Sequence, residues 1–220
     1  MTNSQFGFAL SSLSASPYGA SVKFKVPSGT KSIASTSTNK WCTAGNLLGF
    51  DSSGHYIECS ITYFSSGGAQ SQGWYFWYGY NGGAGTYKSL GSSYDATGDT
   101  VTLYIQVGSN GNWTASFFDS SYSSSKQTYD TGVTKTTFAS LALWFENGGD
   151  TTCCDYRTYG GTQFTNITFY DSSNNVMTVN YSISRHANPN PPNNCTTPSG
   201  ATCIFTDQIN LNIYYNCTAC

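Results

Sequence analysis

Charge is what this chain has least of. Asp, Glu, Lys and Arg together make up 9% of its 220 residues, against about 25% in an ordinary soluble protein, so the surface has to be built from Ser, Thr, Asn, Gly and Tyr. Lysines and arginines are scattered and the net charge is -2. No basic stripe exists to neutralise phosphates, which excludes nucleic acid as the partner. Few ionisable groups also means few protons exchanged on unfolding, so stability is expected to depend weakly on pH. Helical periodicity is nearly absent, and no run approaches the ~20 apolar residues of a membrane span. The opening MTNSQFGFAL has no basic stretch followed by an apolar core of signal-peptide length. Export is therefore expected as a processed mature form or inside a larger particle such as a virion. The only histidines, His55 and His186, sit in no G-x-S-x-G or H-E-x-x-H setting and read as surface or turn residues. Asp150, Asp155 and Asp171 border turns, but not at the spacing of a calcium loop. No metal and no cofactor is expected.

Cysteine, by contrast, is plentiful. Cys42, Cys59, Cys153, Cys154, Cys195, Cys203, Cys217 and Cys220 fit no zinc-ligand spacing, and the terminal Cys217-x-x-Cys220 has no following helix to lower a thiol pKa. Interleaved with them are Asn-x-Ser/Thr triplets starting at Asn112, Asn166, Asn180, Asn194 and Asn216, each a candidate acceptor of an N-linked glycan. Structural disulfides and glycans together imply an extracellular setting or a cell or virion surface.

Period-two alternation recurs along the chain, as in SVKFKV at 21–26, TVTLYIQV at 100–107 and TQFTNITFY at 162–170. Further strands are predicted over 6–13, 55–64, 72–80, 112–118, 138–146 and 175–183, divided by turn signals such as SSGG at 65–68 and NGG at 81–83. The pattern predicts an all-β protein with two packed antiparallel sheets. Residues 1–186 form this sandwich, the Pro/Asn-rich ANPNPPNN at 187–194 is a connector, and 195–220 is a Cys-rich β tail. Within the tail Ile209, Leu211, Ile213 and Tyr215 share a face that so short a segment cannot bury alone. That face is expected to lie on the chain's own sandwich or, by strand addition, on a second copy, giving self-association through the tail. Cys195, Cys203, Cys217 and Cys220 are expected to pair among themselves, leaving Cys42, Cys59, Cys153 and Cys154 to staple the sandwich.

The chain has two glutamates, Glu58 and Glu146, and both fall in strongly alternating segments. In HYIECSITYF, Tyr56, Glu58, Ser60 and Thr62 share the polar face. In FASLALWFEN, Phe138, Ser140, Ala142, Trp144 and Glu146 share the face opposite the apolar Ala139, Leu141, Leu143 and Phe145. GWYFWYGY at 73–80 puts Trp74, Phe76, Tyr78 and Tyr80 on one side and Tyr75 and Trp77 on the other. If the three segments neighbour one another on a concave sheet, Trp74, Phe76, Tyr78 and Trp144 line an aromatic substrate trough around two carboxyl groups. Desolvation and mutual repulsion then leave one acid and one base.

The order of these segments resembles the glutamic peptidases, the eqolisin family, over residues 4–183. SQFGFAL and SVKFKVPSG are similar to its opening strands, GWYFWYGY to its aromatic strand, and LALWFENGG at 141–149 to the strand ending in its catalytic glutamate. The resemblance implies a concanavalin-like two-sheet sandwich, with Glu146 at the catalytic glutamate. Glu58 falls where the family carries a catalytic glutamine, and Phe76 where its aromatic strand carries a glutamate. Three functions are compatible with these readings. The first is a non-enzymatic structural subunit of an extracellular filament, coat or virion. The second is an acid endopeptidase relying on Glu146. The third is a carbohydrate-binding or glycoside-cleaving protein using the same carboxyl pair.

Overall fold

In the computed structural model, the described residues are 4–36, 40–67, 69–81, 83, 85–147, 162–188, 203–207 and 212–217. The first half of the chain runs β1 (Ser4–Ser11), β2 (Gly19–Lys25), a short helix α1 (Thr30–Thr36), β3 (Trp41–Phe50), β4 (Tyr56–Phe64), β5 (Gly73–Tyr80), β6 (Thr86–Ser89) and β7 (Thr100–Val107). It continues through β8 (Asn112–Phe118), β9 (Gln127–Thr134), β10 (Ser140–Asn147), β11 (Thr162–Tyr170), β12 (Val176–Met177), β13 (Ser182–Asn188), β14 (Cys203–Asp207) and β15 (Asn212–Cys217).

These strands build two antiparallel sheets. One has the order β13-β1-β10-β3-β4-β5-β6, and the other β14-β15-β11-β2-β7-β8-β9 with β12 paired to β11. The core lies between them, because on each inner face every second residue is apolar. In β7 Val101, Leu103 and Ile105 are fully buried while Thr102 and Tyr104 are half-buried. Facing them from the first sheet are Leu47, Ile57, Ile61, Leu143 and Phe145. The all-β, two-sheet expectation holds, and strands 100–107, 112–118 and 162–170 have the predicted limits. Segment 175–183 divides instead into β12 and β13: β12 pairs with β11 in one sheet and β13 with β1 in the other, and between them Asn180 exchanges hydrogen bonds with Ser14.

Strand β3 was not legible, and its chemistry explains why. It pairs with β4 and β10, but two of its residues oppose one on β4 between Thr43 and Gly45. Such a bulge shifts the phase of alternation by one residue. Trp41 and Thr43 face outward before it and Asn46, Leu48 and Phe50 after it, while Cys42, Ala44 and Leu47 enter the core. Gly45 and Gly49 turn their missing side chains toward the core, where a Cβ would sit 2.9 Å from the Phe24 ring and 2.3 Å from that of Phe138.

Phe138 departs from its expected outward face. It precedes the first residue of β10 and stacks on Trp113 inside the core at 5.2 Å between centroids. Strand β13 runs to Asn188, two residues into the segment read as a connector; residues 189–194 lie outside the described ones. In the tail, β15 pairs with β14 and, through Thr162↔Ile213 and Gln163↔Asn212, with β11 of the same chain. Of the expected tail face, Ile209 and Leu211 lie outside the described residues.

The disulfide expectation is corrected at two positions. Cys42 and Cys59 are free thiols, both fully buried in the core between the sheets, and burial raises the pKa of each. They lie on the apolar face of their strands, where a small thiol packs as a hydrophobe. Cys153, Cys154, Cys195 and Cys220 lie outside the described residues. Cys203 and Cys217 stand directly opposite each other across β14 and β15. Directly opposed residues of an antiparallel pair have Cα atoms about 4.5–5.5 Å apart, within disulfide reach. Peptide mapping under non-reducing conditions is therefore expected to return a Cys203–Cys217 bond and alkylatable Cys42 and Cys59 after unfolding. A disulfide to Cys42 or Cys59 would contradict this.

Candidate active site: two glutamates under one amide

Strands β10, β3 and β4 lie side by side, and their outward faces form the floor of a groove of about 380 Å³. Glu58 reaches it from β4 and Glu146 from β10. Between them, on β3, stands Asn46, whose backbone partners are Ser60 on one side and Trp144 on the other. Its Nδ2 donates to Glu58 Oε1 at 2.7 Å and to Glu146 Oε2 at 3.2 Å. The two accepting oxygens are thus less than about 6 Å apart. All three side chains are buried, with exposures of 6% for Glu58, 7% for Glu146 and 0% for Asn46.

The bulge in β3 fixes this arrangement. Where it interrupts the ladder to β10, the Thr43 hydroxyl takes over. Oγ1 accepts from the backbone N–H of Glu146 at 2.7 Å and donates to its carbonyl at 3.0 Å. The main chain of Glu146 is thereby pinned at the point where strand pairing would have left it loose. On the far wall Trp77 of β5 lies against two glycines; a Cβ at Gly79 would be 2.8 Å from its ring and one at Gly85 2.0 Å from its Nε1. Gly79 is the backbone partner of Glu58, so the space beside that carboxyl is filled by an indole rather than by a side chain of its own.

The groove has two chemically different ends. Leu48, Ala142 and Trp144 form a small apolar cluster separate from the main core, joined by Phe50 and Tyr56. Phe50 lies 5.3 Å from the Tyr56 ring and 6.5 Å from that of Trp144. At the other end are hydroxyls: Ser60 and Thr62 hydrogen-bond each other at 3.0 Å, near Thr43.

Burial pushes the Glu58 carboxyl well above the usual glutamate range, and the neighbouring charge of Glu146 pushes it further. The phenols of Tyr56 and Tyr87 are raised too, mainly by burial and then by the two glutamates. Among the described residues, no lysine, arginine or histidine lines the groove.

Glu58 and Glu146, read from separate segments, meet in the groove, and Tyr56, Ser60, Thr62 and Trp144 line it on the expected side of their strands. For β5 it selected the wrong face. Trp74 and Phe76 are buried in the core and Tyr78 packs beside them, with Phe76 and Tyr78 both stacked on Tyr129. The groove receives Trp77 instead. With a tryptophan at each parity, alternation alone had no phase; pairing of Phe76 with the core residue Ile61 sets it. Asn46, Thr43 and Leu48 were missed with the strand that carries them. A bulge read into GNLLGF at 45–50 was the one signal available. Among the candidate glycan acceptors, Asn166 and Asn180 are exposed, while Asn112 is half-buried and donates to Asp130. Asn194 lies outside the described residues, and Asn216 is described only as a backbone position on β15. No helix among the described residues is long and apolar enough to cross a membrane.

No protein-family model and no curated protein sequence matches the chain. Solved structures do. Scytalido-glutamic peptidase with a peptide-based transition state analog matches at a TM-score of 0.53 and 11% identity, over 99% of this chain and 100% of that one. The same peptidase with a transition state analog inhibitor matches at 0.51 with the same identity and coverage. SCP-B, a member of the eqolisin family in complex with a tripeptide, gives 0.46 at 11% identity, again over 99% and 100% of the two chains. The first two establish a shared β-sandwich fold.

A carboxyl that is neutral in the folded state and ionised in the unfolded one makes stability fall with pH. Above the ordinary glutamate value of about 4.3 the unfolded chain releases the proton that folded Glu58 keeps. The contribution is complete below that value and is lost as pH rises through the raised folded pKa. Thermal unfolding is expected to show the melting temperature declining from about pH 4.3 upward, and Glu58→Gln to flatten that decline. An equally steep decline in the variant would place its origin elsewhere.

Proposed function

We propose that this chain is an acid-acting hydrolase that cleaves a polymer laid along the groove, and that its substrate is a polypeptide. The observation that carries the reading is the pair of buried carboxyls joined by one amide on the floor of an open aromatic groove. Burying two acids costs several kcal/mol each unless they are neutralised or compensated, and a sandwich that serves only as scaffold gains nothing from that cost. Perturbed acids in a cleft are the usual mark of a catalytic site.

With Glu58 holding the shared proton, Glu146 is the base. Glu146 accepts a proton from water as the water oxygen attacks the peptide carbonyl carbon, and the Glu58 carboxyl donates its proton to the carbonyl oxygen. The resulting tetrahedral intermediate collapses as the proton on Glu146 passes to the leaving nitrogen, while a hydroxyl proton returns to Glu58. The apolar shelf of Leu48, Trp144, Phe50 and Tyr56 suits a bulky apolar side chain beside the cleaved bond. The peptidases of like fold support a peptide substrate, and an acid working range suits the secreted or surface setting inferred from the sequons.

Two other readings each have an observation behind them. The spacing of the carboxyl oxygens, below about 6 Å, overlaps the ~5–5.5 Å of retaining glycosidases, which favours a carbohydrate substrate as the second choice. A structural subunit would use the tail, where β14 stands last in its sheet among the described strands; an unpaired edge of that kind is a template for a second copy.

Glu146→Gln is expected to abolish cleavage of an acid-denatured protein between about pH 2 and 7, a loss of ~10²–10⁴ in rate or more. Product analysis should find bulky apolar residues flanking the cut bonds. Turnover of oligosaccharide but not protein would move the assignment to glycoside hydrolysis. A wild-type chain that turns over neither substrate, yet sediments as a polymer, would move it to the structural subunit.

A further inference from the structure

We propose that Asn46 is a positioning residue that clamps Glu58 and Glu146 into one unit sharing a single proton. The inference rests on the hydrolase reading for its catalytic consequence, but the clamp is a property of the fold. Asn46 hydrogen-bonds both carboxyls, and it spends both hydrogens of one amide nitrogen on them.

The other end of the amide shows that this orientation has a cost. Asn46 Oδ1 is buried and has no hydrogen-bond partner among the described residues. Turning the amide would point that oxygen at two carboxyl oxygens, a repulsive arrangement unless both are protonated. An orphan acceptor is therefore accepted in exchange for two donors facing a pair that carries negative charge.

An amide is suited to the task because it neither takes nor gives a proton at these pH values. A serine in its place has one donor for two carboxyls, and an aspartate adds a third acid. Donation to a carboxylate favours its charged form, so Asn46 opposes the burial and repulsion that raise Glu58. It also holds the acceptors close enough for the charge of one to bias the proton on the other. Among the described residues, the other titratable groups that face the pair are the phenols of Tyr56 on β4 and Tyr87 on β6, and the Cys59 thiol feels Glu58 from the core side of β4. None of them bridges the two acids.

The chain's two glutamates make the test direct. Protein labelled with ¹³C-glutamate has two side-chain carboxyl signals, which report the pair through a pH titration without substrate. In the wild type the two signals are expected to titrate in linked steps. In Asn46→Leu, which fills the same space without a donor, the Glu58 step should move to higher pH by about one unit, the equivalent of one hydrogen bond to a charged group. Asn46→Ser, with a single donor and little change in packing, should fall between the two and serves if the leucine variant does not fold. On the hydrolase reading kcat falls and the pH–rate profile moves the same way, with KM little changed. Titrations in either variant that match the wild type would overturn the clamp and leave Asn46 a packing residue, as would independent single-step titrations in the wild type. Shifted titrations in a chain whose wild type cleaves nothing would keep the clamp and remove the hydrolase.

Discussion

Two carboxyl groups held by one amide, on the outer face of a sheet whose inner face is the hydrophobic core, are the constraint around which the rest of this molecule is arranged. Acids at 6% and 7% exposure are costly to ionise together without a counter-charge, and the described residues lining the groove include no cation. What stabilises them is geometric. The amide donors of Asn46 have fixed direction, the Thr43 hydroxyl holds the backbone of Glu146, and the proton on Glu58 is favoured by burial. The low overall charge of the chain fits this arrangement, since a nearby lysine or arginine would neutralise the pair and remove its capacity to exchange a proton.

The central strands β3 and β4 meet a double demand. Their inner residues build the core and their outer ones the groove, and nearly every residue of both is buried. A strand of that kind has no solvent face to fix its register by polarity. The bulge at Ala44 and Gly45 does so instead, because only one placement lets the Phe24 ring approach Gly45 while Asn46 turns outward between the glutamates. Adjustments near a bulge should therefore be felt in the site before they are felt in the core.

The edges of the sandwich follow different physics. Cys42 and Cys59 belong to the packed interior and are chemically silent there. The tail reaches the sheet by backbone pairing of β15 with β11, which satisfies β11 at the end where β12 does not cover it. Cys203 and Cys217 hold facing backbone positions on the hairpin that delivers that strand. At Cys42 and Cys59 packing, with no disulfide, holds the centre of the sandwich.

The sequence by itself determined the class of fold, the limits of strands such as 100–107 and 112–118, and the two glutamates as the groups to watch. Each of these is written in local alternation, which a period of two makes visible over a single strand. Tertiary structure decided the rest. GWYFWYGY is aromatic at both parities, so only its pairing with β4 shows that Trp77 enters the groove while Trp74 and Phe76 are spent on the core. Asn46 was invisible because a bulge broke the pattern of its strand, and because a lone asparagine acquires meaning only from what stands beside it. Residue 146 stands 100 positions from residue 46 in the chain and beside it in the sheet, and the hydrogen bonds that join Asn46 to both glutamates exist only through that adjacency.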